Sequence, residues 1–476
     1  MLFLEPLEDR LCLSALDLPA AWLSGAEAVL QEWTAHPLAL VAATSPLAPS
    51  GYTPGQIVQA YRFDQIHLAG GVPGNGAGQT IAIVDAYDDP TITHDLAIFD
   101  VMFGLPAPPL FAVVNQDGRT ALPAQDATGE WELEESLDVE WAHAVAPAAN
   151  IVLVEANSDT AFDLFTATRT AASLPGVSAV SMSWGGWEFP LLALWGGVFT
   201  TPPYHQGVTF VAASGDEGMP IFPSTSPNVL SVGGTSLYLD GQNNWSSELA
   251  WFNSGGGVST IESKPAYQQS VQQTGNRSTP DVAYNADPKT GLAVFDSTPT
   301  LGFFGGPWFE VNGTSAGAPE WAGLLAIANE GRALAGQGTL DGPSQTLPLL
   351  YQLPQNAFHD IASGTNGTFA AGPGYDLMTG RGSPFADRVV AGLVSSNVPP
   401  LTPQQQLTYL MAIPTEQFRA LAYRFLAGID PRDFTTGQQA AQNQLAGNPM
   451  HRTLSGVTAA QIGAQVFIEL LGEATH

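Results

Sequence analysis

The segment FEVNGTSAGAPEWAG, residues 309–323, joins a short run suited to a β-strand to a stretch of small residues suited to an α-helix. Asn312, Gly313 and Thr314 lie between the two parts and are typical of a turn. Pro319 comes early enough in the predicted helix, residues 316–326, to be tolerated there. Ser315 therefore follows a strand and opens a helix, which is where an α/β protein would present a nucleophile.

Short apolar runs elsewhere in the chain alternate with helical stretches. The runs comprise residues 80–84, 151–155, 177–182, 208–212 and 229–232. Continuous Val/Ile runs with helices between them predict an α/β fold, a parallel sheet covered by helices on both faces. We expect this domain to span residues 52–398, after a leader and linker at residues 1–51. The apolar spacing beyond it predicts a small helical appendage at residues 399–476.

The chain is strongly acidic. It carries 14 Lys and Arg residues against 44 Asp and Glu residues, a formal net charge of −30 at pH 7. Because phosphate binding requires clustered Lys and Arg, we expect neither nucleic acid nor an anionic membrane as a partner. Protonation of carboxylates would relieve their mutual repulsion, so an acidic working pH is plausible. The single cysteine, Cys12, rules out an intrachain disulfide.

The first residues, MLFLEPLEDRLCLSALDLPAAWL, differ from an ordinary signal peptide because acidic residues precede a modest apolar run. Residues 4–11, LEPLEDRL, resemble a short leader on exported proteins of some bacteria. We therefore expect a secreted bacterial protein with an atypical leader. The alternative is a frayed N-terminus.

Ser315 needs a base to take its proton. At the start of a helix its hydroxyl would lie near backbone N–H groups that can receive an oxyanion, although an isolated Gly-Thr-Ser is better explained as an N-cap. The eight histidines are scattered. His94 and His143 are expected nearest the sheet, and neither stands in the His-Gly-Thr-His context of subtilisin-type enzymes.

Carboxylates are the alternative source of a base. Glu134 and Asp138 are four residues apart, so a helix would place them on one face, where they can share a proton through a short hydrogen bond. Such a pair titrates as a unit, and burial raises the pKa of at least one member. The pair can then accept a serine proton at acid pH. Taken alone, this spacing is more typical of a solvated helix face.

Two further acidic segments are candidates for function. Asp216 lies in a glycine-flanked turn, where a protonated carboxyl can donate a hydrogen bond to an oxyanion or simply cap the turn. Asp360 and Asp376 bracket a glycine-rich loop with available carbonyl groups. Hard oxygen ligands of this kind suit Ca²⁺, but the spacing is not that of an EF-hand, and a metal-free loop is the competing interpretation.

These elements occur in the order Glu…Asp, Ser-Gly-Asp, Gly-Thr-Ser-x-x-x-Pro and Asp-Ile…Gly-x-Gly-x-Asp. The ordered set strongly resembles the sedolisin family, the serine-carboxyl peptidases, whose fold is subtilisin-like. The resemblance covers roughly residues 52–397. It includes the motifs Tyr52-Thr-Pro-Gly-Gln56, Ser183-Trp-Gly185, Ser231-Val-Gly-Gly-Thr235 and Pro280-Asp-Val-Ala283.

The resemblance implies roles for individual residues. The implied catalytic residues are Ser315 as nucleophile, Glu134 as its base, Asp138 as the carboxylate supporting Glu134, and Asp216 as the oxyanion donor. The resemblance also implies one structural Ca²⁺ ion. Its protein ligands would be the side chains of Asp360 and Asp376 and the backbone carbonyls of Ile361, Gly372 and Gly374.

The position of the carboxyl pair has an alternative. Glu130-Trp131 is similar to the Glu-Trp pair of some family members, which would move the pair to Glu130 and Glu134. The sequence that follows fits the family better with Glu134 and Asp138, and we adopt that assignment. Asp85, which ends the first strand, is expected to extend the hydrogen-bond chain of this pair, or else to be a strand-end turn residue.

The function expected from the resemblance is a secreted, calcium-stabilised endopeptidase. It would act as a monomer on proteins or peptides at acid pH, through an acyl-enzyme. A departure from the family is that only residues 1–51 precede the catalytic region, where family members usually carry a long prodomain. The alternatives are a catalytically inactive binding or structural protein on the same fold, and a subtilisin-type hydrolase that uses His94 or His143.

Overall fold

The structure is a computed structural model that describes residues 30–45, 48–190, 192–203, 205–298 and 306–396. The predicted appendage at residues 399–476 and residues 1–29 of the predicted leader and linker lie outside these ranges. Within them, no helix has both the length and the apolar character that crossing a membrane requires.

The strands are numbered in chain order. They are β1 His36–Pro37, β2 Leu40–Ser45, β3 Thr80–Ala86, β4 Phe111–Asn115, β5 Asn150–Ala156, β6 Val177–Met182, β7 Trp184–Trp187, β8 Thr209–Ala213, β9 Ile221–Phe222, β10 Val229–Leu239, β11 Trp245–Ala250, β12 Gly257–Ser263, β13 Asn276–Thr279, β14 Val282–Asn285, β15 Leu292–Phe295, β16 Trp308–Asn312, β17 Phe358–His359 and β18 Ser383–Pro384.

The α-helices are numbered in the same way. They are α1 Pro54–Ala60, α2 Ile92–Phe103, α3 Glu130–Val145, α4 Ala161–Ser173, α5 Thr314–Leu334, α6 Leu347–Gln352 and α7 Ala386–Ser395. Short 3₁₀ segments lie at Phe63–Gln65, Ala69–Gly71, Leu192–Phe199, Ala266–Gln268, Pro288–Thr290 and Gln355–Ala357, and a π-helical turn lies at Gly342–Thr346.

The central sheet has the strand order β11-β10-β8-β6-β3-β5-β4, with β14 also paired to β10. Its strand pairs are parallel except for β10 with β11. Every residue of β3 is buried, so both faces of the sheet are covered at its centre. Helices α3, α4 and α5 pack against its strands. The predicted α/β fold with a parallel sheet is confirmed, and all five predicted apolar runs lie in or overlap its strands.

Helix α5 approaches its neighbours closely because it is rich in alanine and glycine. A Cβ added at Gly317 would come within 2.6 Å of the Cγ1 atom of Val232 in β10. A Cβ at Gly323 would come within 2.4 Å of the Cγ2 atom of Val145 in α3. The two glycines therefore allow α5 to lie directly against both the sheet and α3, which fixes the first turn of α5 relative to the acidic face of α3.

Residues 34–45 differ from the linker that the sequence predicts. Strand β1 pairs antiparallel with β7, and β2 pairs antiparallel with β16, the strand that leads into α5. The backbone polar groups of this extended segment are thus partly satisfied by the strands of the folded domain. These residues are part of the sheet system, so the predicted domain boundary near residue 51 falls too late in the chain.

Candidate active site

The residues predicted for catalysis meet at one end of the central sheet. Because carboxyl ends of parallel strands share an edge, Asp85 at the end of β3, Ser183 after β6 and Asp216 after β8 lie along the same rim. Helices α3 and α5 pack together beside this rim. They add Glu134 and Asp138 from α3 and Ser315 from α5.

Ser315 is fully buried and lies within the first turn of α5. The N-cap position belongs instead to Gly313, whose φ of 136° is a conformation that favours glycine. The alternative of an N-cap serine is therefore wrong for this position. The Ser315 hydroxyl donates to the carbonyl oxygen of Ser183 at 3.2 Å. It also lies close enough to Glu134 to lower the pKa of that carboxyl.

Glu134 is a buried carboxyl with strong donors on one oxygen. Its Oε2 atom accepts the backbone N–H groups of Leu38 at 2.7 Å and Ala39 at 2.6 Å. Burial raises the pKa of Glu134 well above its usual value, and the nearby Asp85 carboxyl raises it further. The Ser315 hydroxyl and the two N–H groups oppose this rise because they favour the ionised form.

Asp138 is held by Ser183. The Ser183 hydroxyl lies 2.7 Å from each carboxyl oxygen of Asp138. Burial raises the pKa of Asp138 well above its usual value, with further increases from Asp85 and Glu134. Glu134 Oε1 is buried and has no partner among the described residues, so the proton that the pair is predicted to share stays a prediction. Their coupling here is electrostatic.

Asp85 is buried beside this pair, and its carboxyl raises the pKa of both members. Neither carboxyl oxygen of Asp85 has a hydrogen-bond partner among the described residues. Burial raises the pKa of Asp85 to about 8, and its carboxyl in turn raises the pKa of Glu134 and Asp138. Asp85 is therefore electrostatically coupled to the pair, and the predicted hydrogen-bond chain stays a prediction.

Asp216 has one bonded and one free carboxyl oxygen. Its Oδ1 atom accepts the backbone N–H of Thr314 at 2.9 Å and the Thr314 hydroxyl at 2.7 Å. Its Oδ2 atom is buried and has no partner among the described residues. Burial raises the pKa of Asp216 to about 7, so at acid pH the group is neutral and Oδ2 can carry a proton to donate.

The alternative catalytic residues lie elsewhere. Glu130 is exposed at the start of α3, which argues against a pair formed by Glu130 and Glu134. His143 is buried, with its Nε2 atom 2.8 Å from the Pro106 carbonyl oxygen and 3.2 Å from an Asp100 carboxyl oxygen. His94 is exposed on α2. Among the described histidines, none hydrogen-bonds to Ser315, Glu134 or Asp138.

The predicted calcium ligands share one loop. Asp360 accepts the N–H of Gly374 at 2.9 Å, and Asp376 accepts the N–H of Gly372 at 3.0 Å. Over the described residues, no backbone hydrogen bond uses the carbonyl oxygens of Ile361, Gly372 or Gly374. Two carboxylates and three uncommitted carbonyl groups form an all-oxygen donor set, which fits a hard cation such as Ca²⁺.

Sequence reasoning missed two parts of the site. The motif Ser183-Trp-Gly185 carries no local signal that Ser183 bonds to both Asp138 and Ser315. The contact of Leu38 and Ala39 with Glu134 had no local signal at all, because the residues are 96 and 95 positions apart in the chain.

Comparison with known proteins gives several matches. Residues 124–337 match the Subtilase family. The chain is 35% identical to kumamolisin of Bacillus sp. (strain MN-32) over 390 residues, covering 73% of this chain and 65% of that protein. It is 32% identical to sedolisin of Pseudomonas sp. (strain 101) over 208 residues, covering 37% of this chain and 33% of that one. The chain thus spans less than two thirds of the length of either relative.

A solved structure has the same fold. It is Pseudomonas sedolisin, a serine-carboxyl proteinase complexed with two molecules of pseudo-iodotyrostatin. The match has a TM-score of 0.62 at 24% sequence identity, and it covers 73% of this chain and 99% of that structure.

Proposed function

Because this chain belongs to the sedolisin family, we propose that it is a serine-type endopeptidase that cleaves peptide bonds at acid pH. Ser315 is its nucleophile, Glu134 its base and Asp138 the carboxylate that supports Glu134. The contact between Ser315 and Glu134 is the main support for this activity, since it joins a buried hydroxyl to a buried carboxyl at the end of a parallel sheet.

The distribution of protons among the buried carboxyls of the site favours Glu134 as the base. Asp85, Glu134 and Asp138 are buried together, and each additional negative charge among them is disfavoured by the others. The three groups therefore share protons at acid pH. The charge that remains is best stabilised on Glu134, because that carboxyl receives two backbone N–H groups and lies next to the Ser315 hydroxyl.

The reaction follows from these positions. The Ser315 Oγ atom attacks the carbonyl carbon of the substrate while its proton passes to Glu134. Neutral Asp216 donates its Oδ2 proton in a hydrogen bond to the developing oxyanion, together with the Ser315 N–H. The C–N bond breaks as Glu134 returns the proton to the leaving nitrogen. Water then attacks the acyl-enzyme ester, with Glu134 as base, and restores the Ser315 hydroxyl.

The loop that carries Asp360 and Asp376 is proposed to hold one structural Ca²⁺ ion. The ion would be bound by these two side chains and by the carbonyl groups of Ile361, Gly372 and Gly374. When bound, it supplies charge neutralisation and crosslinks the loop. We further propose that the protein is secreted and acts as a monomer on proteins or peptides, in line with its acidic surface.

The direct test is hydrolysis of a protein substrate by wild type and by Ser315→Ala across a pH series. We expect the variant to lose at least about a thousandfold in kcat. We expect wild-type activity to fall as pH rises through about 7, since Asp216 then loses its proton. Ser173→Ala is the matched control, because Ser173 is exposed on α4. Undiminished activity of Ser315→Ala would refute the mechanism.

The histidine-based alternative has its own test. His94 is exposed on α2, so His94→Ala can be made without disturbing the core. We expect this variant to keep the wild-type kcat and pH profile. An inactive binding protein on the same fold would cleave no substrate at any pH.

A further inference from the structure

Three carboxyl side chains meet where α3 packs against the central sheet. Asp85 and Glu155 are direct partners in the parallel β3–β5 ladder, so their side chains lie on the same face of the sheet, on strands about 4.8 Å apart. Helix α3 packs against both strands and carries Glu135, the residue after Glu134. The carboxyls of Asp85 and Glu155 both act on that of Glu135. All three side chains are fully buried.

These carboxyls lack the donors that stabilise a buried charge. No described group donates a hydrogen bond to any of the six carboxyl oxygens of Asp85, Glu135 and Glu155. Glu330, by contrast, accepts two backbone N–H groups. A buried carboxyl without a donor is stable only when neutral, and its O–H then needs an acceptor. At acid pH the three neutral groups can serve as donors and acceptors for one another across the contact between α3 and the sheet.

The charged groups that act on these carboxyls are also acidic. On α3, Glu132 lies one turn before Glu135 and raises its pKa. In the loop after β3, Asp88 and Asp89 raise the pKa of Glu155. The Asp89 backbone N–H opposes that rise, but it does not reach hydrogen-bonding geometry with either Glu155 oxygen. Each charge that forms in this cluster therefore disfavours the next one.

The other elements around β3 and β5 add no titratable group from the flanking strands, because β4 and β6 carry none. On α3, Glu134 and Asp138 are both acted on by Asp85. Helices α4 and α5 also contact these strands. Their charged residues are Asp163 and Arg169 on α4, and Glu320, Glu330 and Arg332 on α5.

The two halves of α3 are held differently. In the C-terminal half, the Trp141 indole N–H donates to the Ala293 carbonyl oxygen at 3.0 Å. In the N-terminal half, three acidic side chains accept hydrogen bonds from neighbouring segments, namely Glu132, Glu134 and Asp138. A neutral indole anchors the C-terminal half at every pH, whereas the contacts of the N-terminal half depend on carboxyls.

We propose that Asp85, Glu135 and Glu155 form a pH-dependent switch, in which their protons hold the N-terminal half of α3 against the sheet and the loss of those protons releases it. This inference rests on the proposed peptidase function. Each proton lost leaves a negative charge at a buried contact that has no described donor, so α3 moves away from β3 and β5 and admits water. Glu134 moves with the helix and loses its contact with Ser315. The base is then out of place, for a reason separate from the state of the oxyanion donor.

The direction of the switch follows from the burial of the three groups. Burial raises the pKa of Asp85 to about 8, that of Glu155 to about 9, and that of Glu135 well above its usual value. The groups are therefore neutral at acid pH, where the enzyme is proposed to work. Release of α3 begins as pH rises through about 8.

The test follows amide hydrogen exchange in the full-length Ser315→Ala protein, which cannot digest itself, at about pH 6 and about pH 9. Rates are corrected for the intrinsic pH dependence of exchange. We expect protection of residues 132–138 to fall at least about tenfold at the higher pH, while residues 140–145 and the central strands keep theirs. Unchanged protection of residues 132–138 would overturn the switch. An equal loss in the central strands would mean global unfolding and would also overturn it.

Neutral replacements test which groups are responsible. In the Ser315→Ala background, the pair Glu135→Gln and Glu155→Gln keeps the side-chain shapes but removes two titrating groups. We expect residues 132–138 to stay protected at about pH 9. Glu130→Gln, which changes an exposed side chain on the same helix, is the matched control and should release as its parent does. If the pair does not fold at acid pH, Glu155→Gln alone should move release to higher pH. Release at the parent's pH would overturn the assignment to these carboxyls.

Activity measurements link the release of α3 to catalysis. In Asp216→Asn the oxyanion donor does not ionise, so the alkaline limb that remains reports the position of Glu134. Adding Glu155→Gln should move that limb upward by about one pH unit. An unmoved limb would overturn the link between helix release and activity. A wild type that hydrolyses no protein substrate at any pH would instead overturn the peptidase function, and the exchange measurement would still decide whether α3 is released.

Discussion

The Ser183 hydroxyl lies 2.7 Å from both carboxyl oxygens of Asp138. The carbonyl oxygen of the same serine accepts the Ser315 hydroxyl at 3.2 Å. One residue directly after β6 thus links the proposed supporting carboxylate to the proposed nucleophile. Because the Ser183 hydroxyl also lowers the pKa of Asp138 against the effect of burial, it influences where the proposed catalytic protons reside.

Removal of the Ser183 hydroxyl should therefore shift the pH profile. In Ser183→Ala the pKa of Asp138 should rise further, because the hydroxyl that favours its charged form is gone. The Asp138 carboxyl then loses its proton at a higher pH. We expect the acid limb of the kcat profile to move upward and kcat to fall about tenfold. Ser183→Thr keeps a hydroxyl and should restore much of the profile. Ser178→Ala, on the same strand, is the control, because the Ser178 hydroxyl has no partner among the described residues. A kcat–pH profile of Ser183→Ala that matches the wild-type profile would contradict the proposed effect of the Ser183 hydroxyl on Asp138.

The substitution Glu134→Gln tests the proposed role of Glu134 as the base that takes the Ser315 proton. The amide keeps the shape of the side chain but cannot accept the serine proton, so we expect kcat to fall about 10²- to 10⁴-fold with little change in KM. Glu130→Gln is the matched control one helical turn earlier, where the side chain is exposed. Steady-state kinetics at acid pH measure both. A large loss in Glu130→Gln with little in Glu134→Gln would instead favour the earlier pair.

The sequence predicted the parts of this site whose signals are local. Continuous apolar runs gave the parallel strands, and the four-residue spacing of Glu134 and Asp138 was enough to place them on one face of α3. The partners of those carboxyls depend on tertiary packing. Ser183 reaches Asp138 only because β6 and α3 meet, and no periodicity predicts that.

The pairing of the N-terminal segment also depends on tertiary contacts that no local sequence signal predicts. The sequence predicts a leader and linker over residues 1–51, yet β1 and β2 form within it because β7 and β16 each present an edge with which they pair. Asp85 was predicted next to the pair from its place at the end of β3. The hydrogen-bond partners of its carboxyl depend on ångström-scale geometry that sequence spacing does not specify.

Asp216 should control the alkaline limb of the activity profile. Its pKa is raised to about 7 by burial, and only the protonated form donates to the oxyanion, so activity is present below about pH 7 and is lost above it. We expect Asp216→Leu to lose about 10²- to 10³-fold in kcat. Asp216→Asn keeps a donor that does not ionise, so its remaining activity should extend to higher pH. An alkaline limb unchanged in Asp216→Asn would show that another group sets it.

Stability should also fall as pH rises. Burial raises the pKa of Asp85 and Asp296 to about 8 and that of Glu155 to about 9. The folded chain therefore holds these protons more tightly than the unfolded chain. Each group's contribution to the free energy of unfolding is fully present below the ordinary pKa of that group. The contribution is lost as pH rises through the folded pKa, by up to about 1.4 kcal/mol per pH unit. Urea unfolding of Ser315→Ala, which cannot digest itself, measures this at about pH 4, 6 and 8.

A neutral replacement tests the cause of that pH dependence. Asp296→Asn removes one titrating group from the core and should flatten the decline in the free energy of unfolding. Glu130→Gln changes an exposed group and should leave the slope as it is in the parent protein. Stability that increases between about pH 4 and 8 would contradict the assignment of these buried carboxyls as protonated groups.

Calcium removal should destabilise the loop between Asp360 and Asp376. Burial disfavours the charged form of Asp376 when no cation is bound, although the backbone N–H groups of Gly372, Met378 and Thr379 donate to it. We expect a chelator to lower the Tm of Ser315→Ala by about 5 °C or more. In the Ser315→Ala background, a second substitution Asp376→Asn should lower the Tm measured before chelation and abolish the effect of the chelator. Asp117→Asn in the same background changes an exposed side chain and should leave the effect of the chelator unchanged. An equal chelator response in both double variants would place the ion elsewhere, because the lost charge at residue 376 would then be irrelevant to its binding.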